Sequence, residues 1–75
     1  MNPTQSRMAR AGLGWSAADL ARSAGVGART VARFELGEAV QPESVQAMRR
    51  ALECAGILFL DNGKLAGGVI PPRGE

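Results

Sequence analysis

Apolar positions recur along this chain in two rhythms. From Pro3 to about Gly56 they return every three or four residues, the spacing of one buried helix face. Over 57–60 and 69–70 they run together as ILFL and VI, short blocks that suit brief strands. Caps and breakers divide the helical stretch into four. Asn2, Pro3 and Gln5 have the spacing of a capping box with proline at the first helical position, so a first helix is expected to run to about Ala11 and end at Gly12. Ser16 and Asp19 repeat the cap for a second helix, with Trp15 and Leu20 spaced as a hydrophobic staple across its start and Gly25 closing it. A third helix is expected from near Ala28 to Gly37, and a fourth from near Pro42 to Gly56. In the fourth, Val45, Met48, Leu52 and Ala55 make one apolar stripe.

The two short blocks flank Asp61-Asn62-Gly63, whose Asn-Gly step favours a tight turn, so a β-hairpin is expected over about 57–70. Two strands alone are unstable and need cover. Alternation puts Ile57 and Phe59 toward the helices and leaves Leu58 and Leu60 outward, to be covered by a second copy or by the chain folding back on itself. The expected fold class is therefore mainly α: a single domain over 1–75, with a compact helical bundle at about 3–56 and a β-hairpin tail at about 57–70.

The second and third helices stand in a particular relation. The segment ARSAGVGARTV carries a three-residue turn, Gly25-Val26-Gly27, between two short helices, which is helix-turn-helix spacing. Counting Ala17 as position one, position five is the small Ala21, nine is Gly25, and 15 and 18 are Val31 and Phe34. The small residue admits a close crossing, the glycine makes the turn, and the apolar pair faces back.

Rotating the third helix by about 100° per residue from Val31 puts the buried direction near −30°, with Arg29 and Arg33 at about 160° and 200°. Ala32 and Leu36 flank them. Two arginines four apart repel each other, an arrangement that suits a polyanion filling the space between. Arginine can also read guanine in the major groove through two hydrogen bonds. Glu35 falls toward the core, where a carboxylate is costly unless paired. Arg10 is the natural partner; the alternative is that Glu35 reaches solvent past the helix end.

Charge sharpens this picture. The formal net charge is only +2, but residues 1–34 hold five arginines against Asp19 alone, a net +4, while residues 35–63 net −3 and residues 64–75 net +1. A basic first half fits a nucleic-acid partner, though solvated helix faces would leave the same pattern. Trp15 is more naturally a core residue than a base-stacking one. Arg49 and Arg50, among acidic neighbours, are expected to solvate their helix, and Cys54, about 180° from Val45, is expected to be a half-exposed small residue.

The stretch LGWSAADLARSAGVGARTVARFELG, residues 13–37, resembles the Xre/Cro-type helix-turn-helix family, the lambda-repressor-like DNA-binding domains, and the resemblance extends over roughly residues 7–60. It implies a four- or five-helix bundle that binds double-stranded DNA, usually as a homodimer. It implies that Ala28, Arg29 and Arg33 face the bases. Ser16 and Ala17 would lie against the phosphate backbone, with Thr30 and Leu36 as further backbone contacts. It also implies that Arg10 and Glu35 form a structural salt bridge. There are departures: Ala17 stands where the family often has Gln, Gly27 caps the third helix in place of Ser or Thr, and the hairpin replaces a fifth helix.

The remaining composition bears on function mainly by exclusion. With no histidine and one cysteine in 75 residues, a disulfide framework, a Cys-rich zinc site and a histidine proton shuttle are all out of reach. No nucleophile–base pair is legible, so an enzyme is not expected, nor a cofactor. No apolar run is long enough for a membrane span and no leader pattern opens the chain, so a cytoplasmic protein is expected. The expected function is transcriptional regulation through the major groove. The alternatives are an antitoxin or phage-type regulator that also binds a partner protein, and an interaction bundle that has lost DNA.

Overall fold

The computed structural model describes residues 1–60 and 68–71. Four helices come first: α1 Pro3–Leu13, α2 Ala17–Ala24, α3 Ala28–Glu35 and α4 Pro42–Cys54. Two strands follow, β1 Leu58–Leu60 and β2 Gly68–Ile70, paired antiparallel with Phe59 opposite Val69. The mainly α class with a short C-terminal antiparallel pair is as expected. The Asp61-Asn62-Gly63 turn lies outside the described residues.

Local chemistry explains where the helices begin. The Gln5 N–H donates to Asn2 Oδ1 at 2.7 Å, and the Asn2 N–H donates to Gln5 Oε1 at 2.9 Å. Ser16 and Asp19 make the same reciprocal pair at α2. Each box satisfies two backbone donors that would otherwise be orphaned at a helix start. Neither α3 nor α4 has a side-chain cap bond: α3 starts after Gly27, and α4 relies on Pro42 in its first turn.

The first helix is longer than the sequence reading made it. It ends at Leu13, capped by Gly14 at φ 69°, and Gly12 lies inside it. The left-handed backbone at Gly14 lets the Trp15 N–H return to Arg10 O at 2.8 Å and closes the helix. Gly12 serves another purpose. A Cβ there would sit 2.9 Å from Cβ of Pro71, so the missing side chain is what lets the end of β2 lie against α1. That contact joins residues far apart in sequence and leaves no local signal.

The core is built from the four helices and the start of the strand pair: Ala9 of α1, Leu20 and Ala21 of α2, Val31 and Phe34 of α3, Met48 and Leu52 of α4, then Ile57 and Phe59, with Val69 of β2 packed half-buried against them. Trp15 packs against this cluster half-buried, in keeping with a staple. Burying each large apolar side chain contributes about 1.5–3 kcal/mol, so these few residues carry most of the driving force. Ala21 is 4 % exposed under α3, where a larger side chain would push the two helices apart.

The strand pair is fastened at both edges. Phe59 is buried, and the Arg49 guanidinium sits 4.7 Å above the centre of its ring, a cation–π contact from α4. Arg49 also bonds Glu53 at 3.1 Å, so this arginine does more than solvate its helix. On the other side, the Gln5 side-chain amide donates to Gly68 O at 3.3 Å. Alternation leaves Leu58 57 % and its cross-strand neighbour Ile70 45 % exposed, while Leu60 is half-buried.

Gly12 inside α1 and Gly14 at its cap separate a steric role from a conformational one. Gly14→Ala is expected to destabilise the fold by about 1 kcal/mol, because the left-handed backbone penalises any Cβ even in open space. Gly12→Ala, which on an unobstructed helix would stabilise by about 1 kcal/mol, is expected to give no gain. In a Pro71→Gly background that gain should return. Urea midpoints of the variants check this.

Candidate nucleic-acid interface

The α2–turn–α3 unit is the local structure on which the candidate site rests. Gly25, at φ 72°, reverses the chain, and the Val26 N–H donates to Ala21 O at 3.0 Å. The chain then enters α3 at Gly27 without a side-chain cap. Val31 and Phe34 of α3 face inward, so helical geometry turns Ala28, Arg29, Ala32 and Arg33 outward, and all four are exposed. Leu36, the C-cap of α3, is 77 % exposed on the same side, an unusual position for a large apolar side chain. Thr30 is half-buried and lines an open groove with Arg33, Val40, Gln41 and Ser44, so it sits beside the outward face rather than on it. The eight residues of α3 span about 12 Å, comparable with the width of a B-DNA major groove.

Glu35 points the other way. It is 8 % exposed, and its Oε1 accepts from Arg10 Nη2 at 2.6 Å. Its Oε2 accepts from Arg10 Nε at 2.9 Å and from the Ser6 hydroxyl at 2.6 Å. Arg10 is thus bidentate on the carboxylate, and its Nη1 donates to Trp15 O at 3.1 Å. Arg7 adds a bond from its guanidinium to the backbone carbonyl of Glu35. A cation at the C-terminal end of α3 also complements the helix dipole. Burial alone would push the Glu35 carboxyl up; the bonds from Arg10 and Ser6 and the charges of Arg10 and Arg7 outweigh it and hold the group below the usual carboxylate range. The Glu35 bond correspondingly raises Arg10.

Sequence reasoning missed Ser6 and Arg7 at this cluster. The sequence places Ser6 four residues before Arg10 on one face of α1, but its complete burial, and with it the need for a partner, comes only from the packing. From its place just past Gly37, the sequence alone would have Glu38 solvated. Glu38 Oε1 accepts from Arg33 Nε at 3.0 Å, with both side chains about half-exposed.

These pairings revise the electrostatics of the basic first half. Arg10, Arg22 and Arg33 each have a carboxylate partner, and Arg7 is bonded to Glu35. Arg29 is the arginine of residues 1–34 that faces outward with no ion pair among the described residues. At the start of α2, the Ser16 Oγ accepts from the Asp19 N–H, while Ala17 is half-buried. The Ser16 backbone bond, the Ser16 hydroxyl and the neighbouring Arg22 hold Asp19 below the usual carboxylate range. Among the described residues, no helix is long and apolar enough to cross a membrane.

A profile of the helix-turn-helix family matches residues 7–56. No curated protein and no solved structure matches the chain. With most of its length inside that match, the protein belongs to the Xre/Cro-type helix-turn-helix family of DNA-binding domains.

The Glu35 cluster makes a stability prediction with a defined sign. Glu35→Ala is expected to cost about 3 kcal/mol, the lower end for breaking a buried pair, because Arg10 keeps 21 % of its side-chain surface. Glu38→Ala should stay within about 0.5 kcal/mol. Because folding lowers the Glu35 pKa, its contribution is complete above the unfolded value of about 4.3 and is lost as pH falls from there through the folded value. Glu35→Gln should flatten this acid limb, leaving the share that Asp19, also held below the usual carboxylate range, supplies on acidification. Melting curves between pH 7 and pH 3 test both statements.

Proposed function

We propose that this protein is a sequence-specific transcriptional regulator that lays α3 in the major groove of double-stranded DNA. The observation that carries this reading is the outward face of α3, with Arg29 and Arg33 four residues apart over a helix-turn-helix whose apolar face is buried. Arg29 and Arg33 are assigned to base edges, where each can make the two-bond contact with guanine, and Ala28 allows close approach beside them. Ser16, Ala17, Thr30 and Leu36 are assigned to the sugar–phosphate backbone. Ser16 can donate its hydroxyl proton to a phosphate while its oxygen caps α2. Ala17 can offer only its backbone N–H at the helix start. The proposal places the protein in the cytoplasm, with neither a cofactor nor a reaction of its own.

A homodimer is part of the same reading. The Leu58–Ile70 pair exposes two large apolar side chains on the outer face of a two-stranded sheet that is too small to be stable alone. A second copy seated there would cover them, and twofold symmetry would match a palindromic operator. Replacing both residues by Thr should leave the helices folded and shift the sedimentation of the free chain from dimer to monomer. A wild-type chain that is monomeric at high micromolar concentration refutes the dimer.

DNA binding is tested by selecting duplexes from random sequence and measuring affinity against salt. Each phosphate contact should contribute a slope of about −0.9 in log K against log salt. Arg29→Ala and Arg33→Ala should each cost about 1–3 kcal/mol on the selected site and relax preference at one base pair. A uniform loss on all sequences would reassign them to phosphates, and a salt-independent affinity would refute the proposal.

A further inference from the structure

We infer that Glu38 is a specificity-determining residue of the reading surface: it orients the guanidinium of Arg33 toward a base edge and disfavours duplexes that offer no matching base. The inference rests on the DNA-binding function proposed above and gives a role to a residue outside α3. Glu38 lies beyond the helix, yet it is tied to Arg33 twice. Its N–H donates to Arg33 O at 3.0 Å, and its Oε1 accepts from Arg33 Nε at 3.0 Å. The first bond belongs to the C-terminal closure of α3, which the Gly37 N–H shares by donating to Phe34 O at 3.0 Å. The backbone that ends the helix therefore places the carboxylate that holds the arginine.

The geometry of the second bond decides what Arg33 can do. A guanidinium has five N–H donors, and Glu38 takes the one on Nε. The four on Nη1 and Nη2 remain, at the end of the side chain farthest from the helix. Those two nitrogens can meet O6 and N7 of guanine together. Arg29 has no such partner among the described residues, so the two arginines of the reading face differ: one is held in place and the other is not.

Two consequences favour discrimination. An arginine ordered before binding loses less side-chain freedom when it meets its base. A carboxylate at the edge of the interface repels phosphates of any sequence, and the bonds Arg33 makes to its base offset that repulsion only at the right site. The ion pair thus acts on the ratio of specific to non-specific affinity. As a half-exposed surface pair it contributes little to stability.

The test uses the full chain, a duplex selected by the wild type from random sequence, and a scrambled duplex of the same composition. Wild type is compared with Glu38→Ala and Glu38→Gln, each alone and with Arg33→Ala. Gln keeps an oxygen for Arg33 Nε and removes the charge. Glu38→Ala is expected to lower the selected-to-scrambled affinity ratio by about three- to tenfold, to flatten preference at one base pair and to tighten binding to scrambled DNA. Glu38→Gln should also bind scrambled DNA more tightly but keep the preference at that base pair. With Arg33→Ala present, Glu38→Ala should change no base preference. An unchanged ratio and base preference in Glu38→Ala overturns this inference alone. A loss of preference that persists without Arg33 overturns it too, because the effect then does not pass through that side chain. A wild-type chain that binds neither duplex overturns the proposed function together with the inference. Matching circular dichroism and melting curves establish that all variants are folded.

Discussion

The carboxylate of Glu35 is the point on which the arrangement of this fold depends. It is the one acidic side chain among the described residues buried against the core, and isolated it would be costly enough to unfold so small a protein. Arg10 and Ser6 from α1 satisfy both of its oxygens, and Arg7 secures the carbonyl of the same residue. Since Arg10 also bonds Trp15 O, the cluster ties the end of α3 to α1 and to the turn that leads into α2. Apolar contacts alone would let α3 slide or rotate with modest loss. A bidentate ion pair has a fixed geometry, so it sets how α3 is turned and hence which of its residues face outward.

This pairing also changes how the charge of the chain should be read. The excess of arginine in residues 1–34 looks like a single basic surface in the sequence, but most of it is engaged by partners within the chain: Arg10 at the buried Glu35, Arg7 at the Glu35 carbonyl, and Arg22 and Arg33 in exposed ion pairs. The outward potential at α3 rests on Arg29 and on the free end of Arg33. A small number of directed arginines favours recognition of particular base edges over general attraction to phosphate.

The strand pair at the end of the chain is integral to the helical body on its inner face. Phe59 and Ile57 complete the core, Arg49 covers the Phe59 ring, and α1 receives β2 through Gln5 and the bare backbone at Gly12. Its outer face, with Leu58 and Ile70, is left apolar and uncovered. Inner and outer faces therefore carry different duties although they alternate along the same few residues.

Much of this was legible in the chain itself. The capping boxes at Asn2 and Ser16, the turn at Gly25, the stripe through Met48 and Leu52 and the inward Phe59 are local or periodic features, governed by neighbours within about one or two turns, and the sequence determined them unaided. The outward direction of Arg29 and Arg33 followed from the same periodicity. What the sequence could not decide was which distant groups meet. Gly12 reads as a helix end until Pro71 is found against it; Ser6 and Arg7 have no legible partner until Glu35 arrives; Glu38 reads as solvated until the closure of α3 brings it to Arg33. Each of these depends on a contact set by packing or by the path of a helix end, and a steric gap or an ion pair of that kind exists only once the tertiary structure has brought its two sides together.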